Sequence, residues 1–480
     1  MIQYTASYTD QYELTMAQAY FQKGKKDKTA IFDYFFRKLP FGGGYALFAG
    51  LEDLIDVLEH LRFDERDLIY LQNQGLNSDF IGYLENFRFS GNVYSCREGE
   101  VVFPICPIVV VEAPIIEAQI IETLLLNILN IQTLVATKAS RMRHVAGDRA
   151  LIDFGLRRAQ GAGGYSASRA AFIGGFNSTS NVRAGRDYHI PVAGTMAHSF
   201  VQSYDNELDS FRDFAEVRSD DCVLLVDTYD TLKSGVPNAI ITGKEMEARG
   251  QRLKGIRLDS GDLAWLSKKS RQMLDNAGLH YVKITASNKL DEIVIQSLID
   301  QEAPIDAFGV GTRLVTGHPD AALDGVYKLA FANDRPRIKL SENILKINLP
   351  DKKQVYRILN NGLTFYGADV IALADEDAEK VGIMHHPSEA KSLHIESYDK
   401  EPLLQKVIEN GKRLQKPLAL KEIADFSKYR LNKLPPEFKR FVNPHKYKAG
   451  LSDKLNHERD ELIEKIKKNK SGAHSPDSFF

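Results

Sequence analysis

The residue of this sequence best placed to do chemistry is His198, in the stretch PVAGTMAHSF at residues 191–200. The apolar residues 190–193 predict a short strand that stops at Gly194, which places His198 on the loop beyond the carboxyl end of that strand. Such loops are where α/β proteins hold their chemistry. A single loop histidine, even with a near-neutral pKa, is more often structural or simply exposed than catalytic. The surrounding residues have to decide between the two interpretations.

Arginines and aspartates accompany His198 at the other predicted strand ends. Arginine side chains are planar, permanently charged donors suited to carboxylate, phosphate or pyrophosphate. Aspartates hold Mg²⁺, accept hydrogen bonds from ribose hydroxyls, or fix the tautomer of a histidine. The mixture predicts a site for an anionic, hydroxylated and magnesium-bound substrate, although Asp262 can also cap the next helix and Asp153 can bond a neighbouring backbone amide. The full set is Lys138, Arg141, Asp153, Arg157, His198, Asp227, Asp230, Arg257, Asp259, Asp262 and Thr312.

A glycine-rich stretch, FGVGTRLVT at residues 308–316, is a candidate phosphate site. Gly309 and Gly311 follow an apolar strand and precede Thr312, so backbone amides and a hydroxyl can converge on a phosphate. A tight structural turn explains the same glycines. The P-loop pattern GxxxxGK[ST] does not occur in the sequence, and the glycine cluster QGAGGYS at residues 160–166 predicts a mobile loop.

Eight short apolar runs predict the strands that position these side chains. Segments with helical leucine spacing, such as residues 262–277 and 288–301, separate them. This βα alternation favours a closed or nearly closed β/α barrel over an open doubly wound sheet, and barrels place their chemistry at the carboxyl ends of the strands. The eight predicted strands end at Ala136, Phe154, Phe176, Ala193, Val226, Leu258, Ile284 and Val310.

The segments on either side of the barrel predict a second, α+β domain split in sequence. A capped helix at residues 10–22 carries Tyr12, and a partly alternating run at residues 29–39 predicts a half-buried antiparallel strand. A long helix over residues 115–134 leads into the barrel. Strand patterns return at residues 325–331, 337–340, 346–349 and 354–357. The expected segments are 1–125 (sandwich), 126–325 (barrel), 326–400 (return of the sandwich) and 401–480 (helical, ending in a disordered polar tail at 471–480).

Composition narrows the class of protein. The 480 residues, 43% of them hydrophobic, allow two or three domains that each bury a core. Lys and Arg number 62 against 64 Asp and Glu, so the net charge of −2 provides no basic field for nucleic acid or a membrane surface. Cys96, Cys106 and Cys222 lack zinc or disulfide spacing and are expected to be buried thiols in a reducing compartment. Polar residues interrupt the first 30 positions, so we expect neither a signal peptide nor a membrane span, and a cytoplasmic location.

Taken together, the motifs resemble those of the nicotinate phosphoribosyltransferases, a type II phosphoribosyltransferase family, and less closely those of its nicotinamide-using relatives. The resemblance runs in family order from residue 4 to about residue 360, and the C-terminal quarter is less diagnostic. It rests on TDQYELTM at 9–16, FGGGYALFAGLE at 41–52, DFGLRRA at 153–159, FNSTSNV at 176–182, GTMAHSF at 194–200, VDTYDT at 226–231, IRLDSGDL at 256–263, FGVGT at 308–312 and GVYKL at 325–329.

The resemblance implies an α/β fold: an irregular or incomplete β/α barrel plus an open-faced α+β sandwich built from N- and C-terminal segments. It implies a homodimer with active sites between the subunits. The implied reaction joins nicotinate to 5-phosphoribosyl 1-pyrophosphate and gives nicotinate mononucleotide and pyrophosphate, a step of NAD biosynthesis. ATP hydrolysis would be coupled to it through a phosphohistidine, with Mg²⁺ assisting. Small molecules are thus the expected partners.

The resemblance also assigns residues to roles. His198 occupies the place of the phosphorylated histidine, Asp227 would orient it and stabilise its charge, and Asp259 would face ribose or magnesium. Tyr12 would stack on nicotinate from the opposite subunit. The other nicotinate residues would be Phe154, Ser180, Thr195 and Arg257, the last as the partner of the carboxylate. Phosphoribosyl pyrophosphate would be bound by Arg141 and Arg157 at its pyrophosphate and by Gly309, Gly311 and Thr312 at its 5'-phosphate.

Ser180 bears on the choice between acid and amide. The nicotinamide-using relatives have an aspartate at this position, an anion that accepts a hydrogen bond from an amide and repels a carboxylate. Serine removes the repulsion, so a strong preference for nicotinate is expected. A nicotinamide or quinolinate phosphoribosyltransferase and a non-catalytic nucleotide-binding homologue stay as alternatives.

Overall fold

The computed structural model describes residues 4–340, 348–361 and 364–472. The chain divides into two compact units: unit 2 is Val135–Ala321, and unit 1 comprises the described residues on either side of it. The chain begins with α1 (Gln11–Gln22), β1 (Thr29–Phe36), β2 (Ala46–Leu47), α2 (Leu51–His60), α3 (Glu65–Asn73), α4 (Ser78–Glu85), β3 (Asn92–Ser95), β4 (Val101–Val102), β5 (Val109–Pro114), α5 (Ile115–Ile120) and α6 (Glu122–Ala146).

Strands and helices alternate through unit 2, and strands predominate again after it. Unit 2 contains β6 (Ala150–Asp153), α7 (Gly161–Ile173), β7 (Ser178–Thr179), α8 (Val182–Tyr188), α9 (His198–Gln202), α10 (Glu207–Val217), β8 (Val223–Leu225), α11 (Val236–Ala248), β9 (Gly255–Leu258), α12 (Leu263–Asn276), β10 (Lys283–Ser287), α13 (Glu292–Asp300), β11 (Ala307–Val310) and α14 (Thr312–Val315). The C-terminal part of unit 1 contains β12 (Gly325–Ala332), β13 (Lys353–Asn360), β14 (Thr364–Leu373), β15 (Ile383–His385), β16 (Ser392–His394), β17 (Asp399–Pro402), β18 (Gln405–Glu409), β19 (Lys412–Arg413), α15 (Leu420–Lys433), β20 (Lys448–Leu451) and α16 (Asp453–Gly472).

The first sheet of unit 1 joins the N- and C-terminal segments of the chain. Its order is β12-β1-β5-β3-β18-β19, and β1 pairs antiparallel with both neighbours, so that Tyr34 lies opposite Tyr327 and Val109. The predicted sandwich built from both ends of the chain is confirmed. The expectation that β1 is half-buried is wrong, because residues 30–36 are all buried and the polar member, Asp33, is ion-paired with Lys353 at 2.9 Å.

A second sheet of unit 1, in the order β16-β15-β20-β14-β13-β17, covers a buried cluster of charges. Arg357 is fully buried, with Nη2 2.9 Å from Asp369 Oδ2 and Nη1 2.5 Å from Glu100 Oε1. Arg430 shares Glu100 through its Nε at 2.8 Å. Because an unpaired buried charge is strongly destabilising, these pairs depend on one another. Residues after 400 thus contribute strands as well as helices, not helices alone as expected.

The described strands of unit 2 form one parallel sheet of six, in the order β7-β6-β11-β10-β9-β8. The register places Phe308 of β11 opposite Leu151 of β6 and Ile284 of β10 opposite Ile256 of β9. A single parallel bridge between Thr179 and Val192 lies beyond β7. The incomplete β/α barrel is confirmed, and all of these strands point their carboxyl ends toward one edge of the sheet.

The count of eight strands is wrong in three places. The run ending at Ala136 lies inside α6, because its apolar residues continue at helical spacing: Val135, Ala139 and Met142 are all fully buried. The run ending at Phe176 is the end of α7 and a turn, and the strand follows it as β7. The run ending at Ala193 makes only the isolated bridge.

Four further expectations differ from the structure or lie outside the described residues. The glycine cluster at residues 160–166 lies mostly in α7, where an added Cβ on Gly164 would approach Leu156 Cδ1 to 3.0 Å, so small residues permit close packing of the helix. Residues 337–340 form no strand. Part of the strand predicted at 346–349, and the polar tail beyond residue 472, lie outside the described residues. The three cysteines are free and buried as expected.

Candidate active site

His198 begins helix α9, on the loop that follows the Thr179–Val192 bridge. Its side chain is 40% exposed, so the ring is open to a ligand. The Nδ1 atom lies 3.1 Å from Thr228 Oγ1, and Nε2 lies 3.9 Å from Asp259 Oδ2. A hydroxyl therefore holds one ring nitrogen while the other faces a carboxylate.

Two aspartates at neighbouring strand ends, Asp227 after β8 and Asp259 after β9, form the acidic part of the site. Asp227 Oδ2 accepts hydrogen bonds from Asp259 N and from Ser260 Oγ, each at 2.7 Å. Asp259 Oδ1 accepts one from Ser287 Oγ at the end of β10. Asp227 Oδ1 is buried, and no donor among the described residues reaches it. This oxygen is therefore desolvated and still able to bind a ligand.

Arg257, in β9, supplies the positive charge of the site. Its Nη1 donates to Thr195 Oγ1, and its guanidinium carbon lies 5.9 Å from the centroid of the Phe154 ring. Its Nε is buried, and within the described residues no acceptor reaches it. Burial lowers the pKa of Arg257, and the carboxylates of Asp259 and Asp227 oppose that shift. The guanidinium is thus oriented beside an aromatic face with one donor unused.

Asp153 at the end of β6 is a structural centre for the neighbouring loop. Its carboxylate accepts hydrogen bonds from Gly155 N at 2.8 Å and from the hydroxyls of Ser168 and Thr179 at 2.7 Å each. Burial raises the pKa of Asp153, and these three hydrogen bonds oppose the rise. The Asp153 carbonyl accepts a hydrogen bond from Ser180 N at 2.8 Å. The bond from Gly155 N is the contact with a neighbouring backbone amide that is expected for Asp153 as an alternative to a role at the rim. The Asp153 carbonyl holds Ser180 in place.

The glycines after and within β11 differ in what surrounds them. An added Cβ on Gly309 would lie 2.4 Å from Phe154 Cε2, so this glycine makes room for the Phe154 ring. An added Cβ on Gly311 would lie 3.2 Å from the Phe154 carbonyl oxygen, and Thr312 is exposed at the start of α14. The open end of this loop is therefore formed by Gly311 and Thr312, whereas Gly309 is packed beneath the ring.

Arg141 lies in a buried ion cluster rather than at the open edge of the sheet. Its Nε donates to Glu292 Oε1 at 2.9 Å, and Lys138 Nζ lies 2.5 Å from Glu292 Oε2. All three side chains are at most 5% exposed. Burial lowers the pKa of Lys138, and Glu292 opposes the shift. Arg141 is therefore enclosed and paired with Glu292 in this structure, and its role at the pyrophosphate stays a prediction.

Arg157 is exposed in the turn Leu156–Arg158, and its positive charge acts on Arg257. Two other aspartates of the predicted rim are helix caps: Asp262 Oδ1 accepts from Trp265 N at 3.0 Å, and Asp230 Oδ1 accepts from two backbone amides. Fewer of the residues predicted for the rim therefore have side chains free to bind a substrate. Three residues of the predicted rim, Asp227, Arg257 and Asp259, form the site with His198. Thr195 and Phe154 join them through Arg257.

Comparison with known proteins identifies the family. Profiles of nicotinate phosphoribosyltransferase match the chain over residues 8–130 (N-terminal domain), 149–358 (family) and 352–459 (C-terminal domain). Nicotinate phosphoribosyltransferase of Bacillus subtilis is 45% identical over 457 residues, which cover 93% of this chain and 92% of that protein. The chain belongs to the nicotinate phosphoribosyltransferase family. Its members in Mycobacterium tuberculosis include a protein 41% identical over 454 residues, 94% of this chain and 92% of that one.

Solved structures agree with the family assignment. The crystal structure of human nicotinic acid phosphoribosyltransferase superimposes with a TM-score of 0.85 at 30% identity and covers 95% of this chain and 99% of that chain. A nicotinate-nucleotide pyrophosphorylase from Pyrococcus furiosus has a TM-score of 0.71 at 23% identity, covering 89% of this chain and 95% of that one, and shows the fold alone.

Sequence reasoning missed the hydroxyls that hold the charged residues. Thr228, Ser260 and Ser287 each contact His198, Asp227 or Asp259, and each lies within three residues of the carboxyl end of a strand. Their position at the strand ends is the feature of the sequence from which they could have been predicted.

Tyr12, the remaining predicted residue, lies on α1 in unit 1 with its side chain 50% exposed. Within the described ranges, no helix combines the length and apolar character needed to cross a membrane.

Proposed function

We propose that the chain joins nicotinate to phosphoribosyl pyrophosphate, releasing nicotinate mononucleotide and pyrophosphate, with ATP hydrolysis coupled through phosphorylation of His198. Family membership supports the synthetic reaction. The single observation that carries the choice of substrate is Arg257: a largely enclosed guanidinium, oriented by Thr195, beside the aromatic ring of Phe154 and with Nε unbound.

These residues supply what a pyridine carboxylate requires. A carboxylate would accept from the unused Nε of Arg257, and charge-assisted bonds of this kind are the stronger ones in proteins. The Phe154 ring offers the pyridine a flat apolar surface. Ser180, fixed by its bond to the Asp153 carbonyl, adds no negative charge. Nicotinate is therefore favoured over nicotinamide, which cannot use the guanidinium as well.

The reaction at ribose requires positioning more than acid–base chemistry. Departure of pyrophosphate leaves positive character on the anomeric carbon, and the nicotinate nitrogen forms the new bond to that carbon as the bond to pyrophosphate oxygen breaks. Asp259 would face the ribose and Arg157 the leaving pyrophosphate, whose charge it would stabilise. Gly311 and Thr312 would bind the 5'-phosphate through backbone amides and a hydroxyl.

Mg²⁺ fits the acidic part of the site. Asp227 Oδ1 is buried without a donor, and Asp259 lies on the adjacent loop, so the two carboxylates would hold the ion. No group of three or more acidic, His or Cys side chains suited to a metal occurs among the described residues. Substrate phosphates would complete the coordination, as is usual for this ion. When bound, Mg²⁺ neutralises charge on the pyrophosphate.

His198 is the acceptor of the proposed phosphoryl transfer from ATP. A nitrogen–phosphorus bond would form as the bond between the γ-phosphorus and the ADP oxygen breaks, and water would later release phosphate. The exposed ring allows access, and Asp259 would stabilise the positive charge of the ring. Phosphorylation would couple to synthesis by favouring one conformation of the site.

Tyr12 is assigned to the opposite subunit's site, where it would stack on the pyridine ring. Its half-exposed side chain on α1 supports this role, because an aromatic ring left in water gains by covering its face. The assembly would be a homodimer with shared sites. The expected setting is cytoplasmic.

The decisive experiment measures synthesis from nicotinate and from nicotinamide, each with and without ATP. We expect product from nicotinate, stimulated by ATP, and little from nicotinamide. Equal use of the amide would refute the assignment of Arg257. His198→Asn should abolish ATP hydrolysis and ATP-stimulated synthesis and leave slow synthesis, so full ATP coupling in this variant would refute the role of His198. Release of carbon dioxide from quinolinate would indicate the quinolinate reaction instead.

A further inference from the structure

One ion pair joins the loop that follows β10 to the short helix α14 that follows β11. Arg313 Nη1 donates to Asp291 Oδ2, which links the residue after Thr312 to the loop before α13. The other carboxylate oxygen of Asp291 accepts from Ile293 N at 3.1 Å and Val294 N at 2.9 Å. Asp291 is only 5% exposed. A single buried carboxylate therefore fixes the start of α13 and holds α14, the short helix after the next strand.

The residues before and after Asp291 are also held in fixed positions. Asn288 and Lys289 have φ angles of 83° and 51°, a left-handed conformation that residues with side chains seldom adopt and that persists where the surroundings fix it. On the far side of Asp291, the next residue, Glu292, binds Lys138 and Arg141 of α6. The loop at residues 288–291 is thus held between a buried ion cluster and Arg313.

We propose that Asp291 and Arg313 are positioning residues for the 5'-phosphate of phosphoribosyl pyrophosphate, an inference that rests on the proposed function. Their ion pair holds the backbone at Asn288 and Lys289 and the backbone at Gly311 and Thr312 at one fixed separation, so that both loops direct donors to one phosphate. Arg313 acts through the loop rather than as a ligand, because its side chain is two-thirds covered and its charge is already paired.

Asp291→Asn tests the proposal, because asparagine retains an acceptor for the two amides of α13 and removes the charge that pairs with Arg313. Steady-state kinetics of the full chain, with phosphoribosyl pyrophosphate varied at saturating nicotinate, should show its KM raised about tenfold and kcat changed by less than about twofold. The nicotinate KM should stay unchanged. Glu245→Gln, which breaks the 2.6 Å ion pair between Arg212 of α10 and Glu245 of α11, is the matched control and should leave both KM values unchanged.

Arg313→Gln distinguishes positioning from direct binding and serves as the second variant if Asp291→Asn does not fold. Under the proposal both substitutions raise the KM for phosphoribosyl pyrophosphate by a similar factor, and the double variant raises it no further. A KM that is unchanged or lowered in folded Asp291→Asn, with a raised KM in Arg313→Gln, overturns the proposal and makes Arg313 a ligand. Unchanged KM values in both overturn it as well. Absence of product from the unsubstituted chain refutes the proposed function instead.

Discussion

Replacing Gly309 by alanine separates two roles for this glycine, phosphate binding and accommodation of Phe154. The added Cβ would lie 2.4 Å from Phe154 Cε2 and 2.5 Å from Cδ2. Non-bonded carbons prefer a separation of about 3.5–4.0 Å, so the ring has to move by about 1 Å. Overpacking of this kind costs about 1–3 kcal/mol. Gly309→Ala should therefore fold, with reduced stability and a displaced Phe154 ring.

The displaced ring should change nicotinate binding selectively. The Phe154 ring lies beside Arg257, and the two form the surface to which we assign the pyridine carboxylate. A loss of about 1–2 kcal/mol of binding corresponds to a nicotinate KM raised about 5- to 30-fold. The KM for phosphoribosyl pyrophosphate should change by less than about twofold. Thermal unfolding should show a decrease of ~2–4 °C in Tm for each kcal/mol lost, the scale for a unit of this size.

Two further variants control this experiment. An added Cβ at Gly163 in α7 meets nothing within 4 Å, so Gly163→Ala should leave both KM values unchanged. Phe154→Leu removes the ring edge, so Gly309→Ala should destabilise a Phe154→Leu background less than the original chain. If Gly309→Ala instead raised the KM for phosphoribosyl pyrophosphate and left that for nicotinate unchanged, the packing role would be wrong and the phosphate role correct.

Three other perturbations test particular contacts. Thr228→Val removes the hydroxyl beside Nδ1 of His198 and should reduce ATP-stimulated synthesis more than ATP-independent synthesis, while Thr228→Ser should restore it; equal loss in both reactions would count against the contact. Burial raises the pKa of the Glu13 carboxyl from 4.5 to about 7, so the folded chain binds this proton more tightly than the unfolded chain and the free energy of unfolding should fall as pH rises from about 4.5 to about 7. Glu13→Gln should flatten that dependence in urea titrations at several pH values, and an unaltered dependence would exclude Glu13 as its source. Arg357→Gln removes the guanidinium partner of buried Asp369 and leaves Glu100 paired with Arg430 alone, so it should cost about 3–5 kcal/mol in urea unfolding. A loss under about 1 kcal/mol would contradict this expectation.

Local patterns predicted those strands whose apolar runs are short and end in polar residues. The runs before Phe154, Val226, Leu258, Ile284 and Val310 are all strands of the parallel sheet. The run before Ala136 has the same composition but lies in a helix. A short apolar run fits a buried strand and a buried helix equally well, and only the burial of residues three and four positions apart decides between them.

Arg141 and Gly309 show which parts of the site local reasoning could not reach. Glu292 is 151 residues from Arg141 in sequence, and nothing near Arg141 indicates that this carboxylate encloses it. Likewise, Gly309 precedes Thr312 in a stretch suited to phosphate, while the ring that requires the glycine is Phe154, on the adjacent strand end. Residue type and strand position predicted that these residues lie at the site, but the role of each depends on a long-range neighbour.

The residue that contacts His198 could not be identified from the local sequence either, although the two candidates, Asp227 and Thr228, are adjacent. Asp227 and Thr228 both follow β8, and their order in the sequence does not show which of the two side chains faces the ring. The structure directs Thr228 to Nδ1 and turns Asp227 toward the backbone of Asp259. The carboxylate nearest to His198 is then Asp259, 3.9 Å from Nε2. We therefore propose that Asp259, rather than Asp227, stabilises the positive charge of His198. Asp227 acts by holding Asp259 in place.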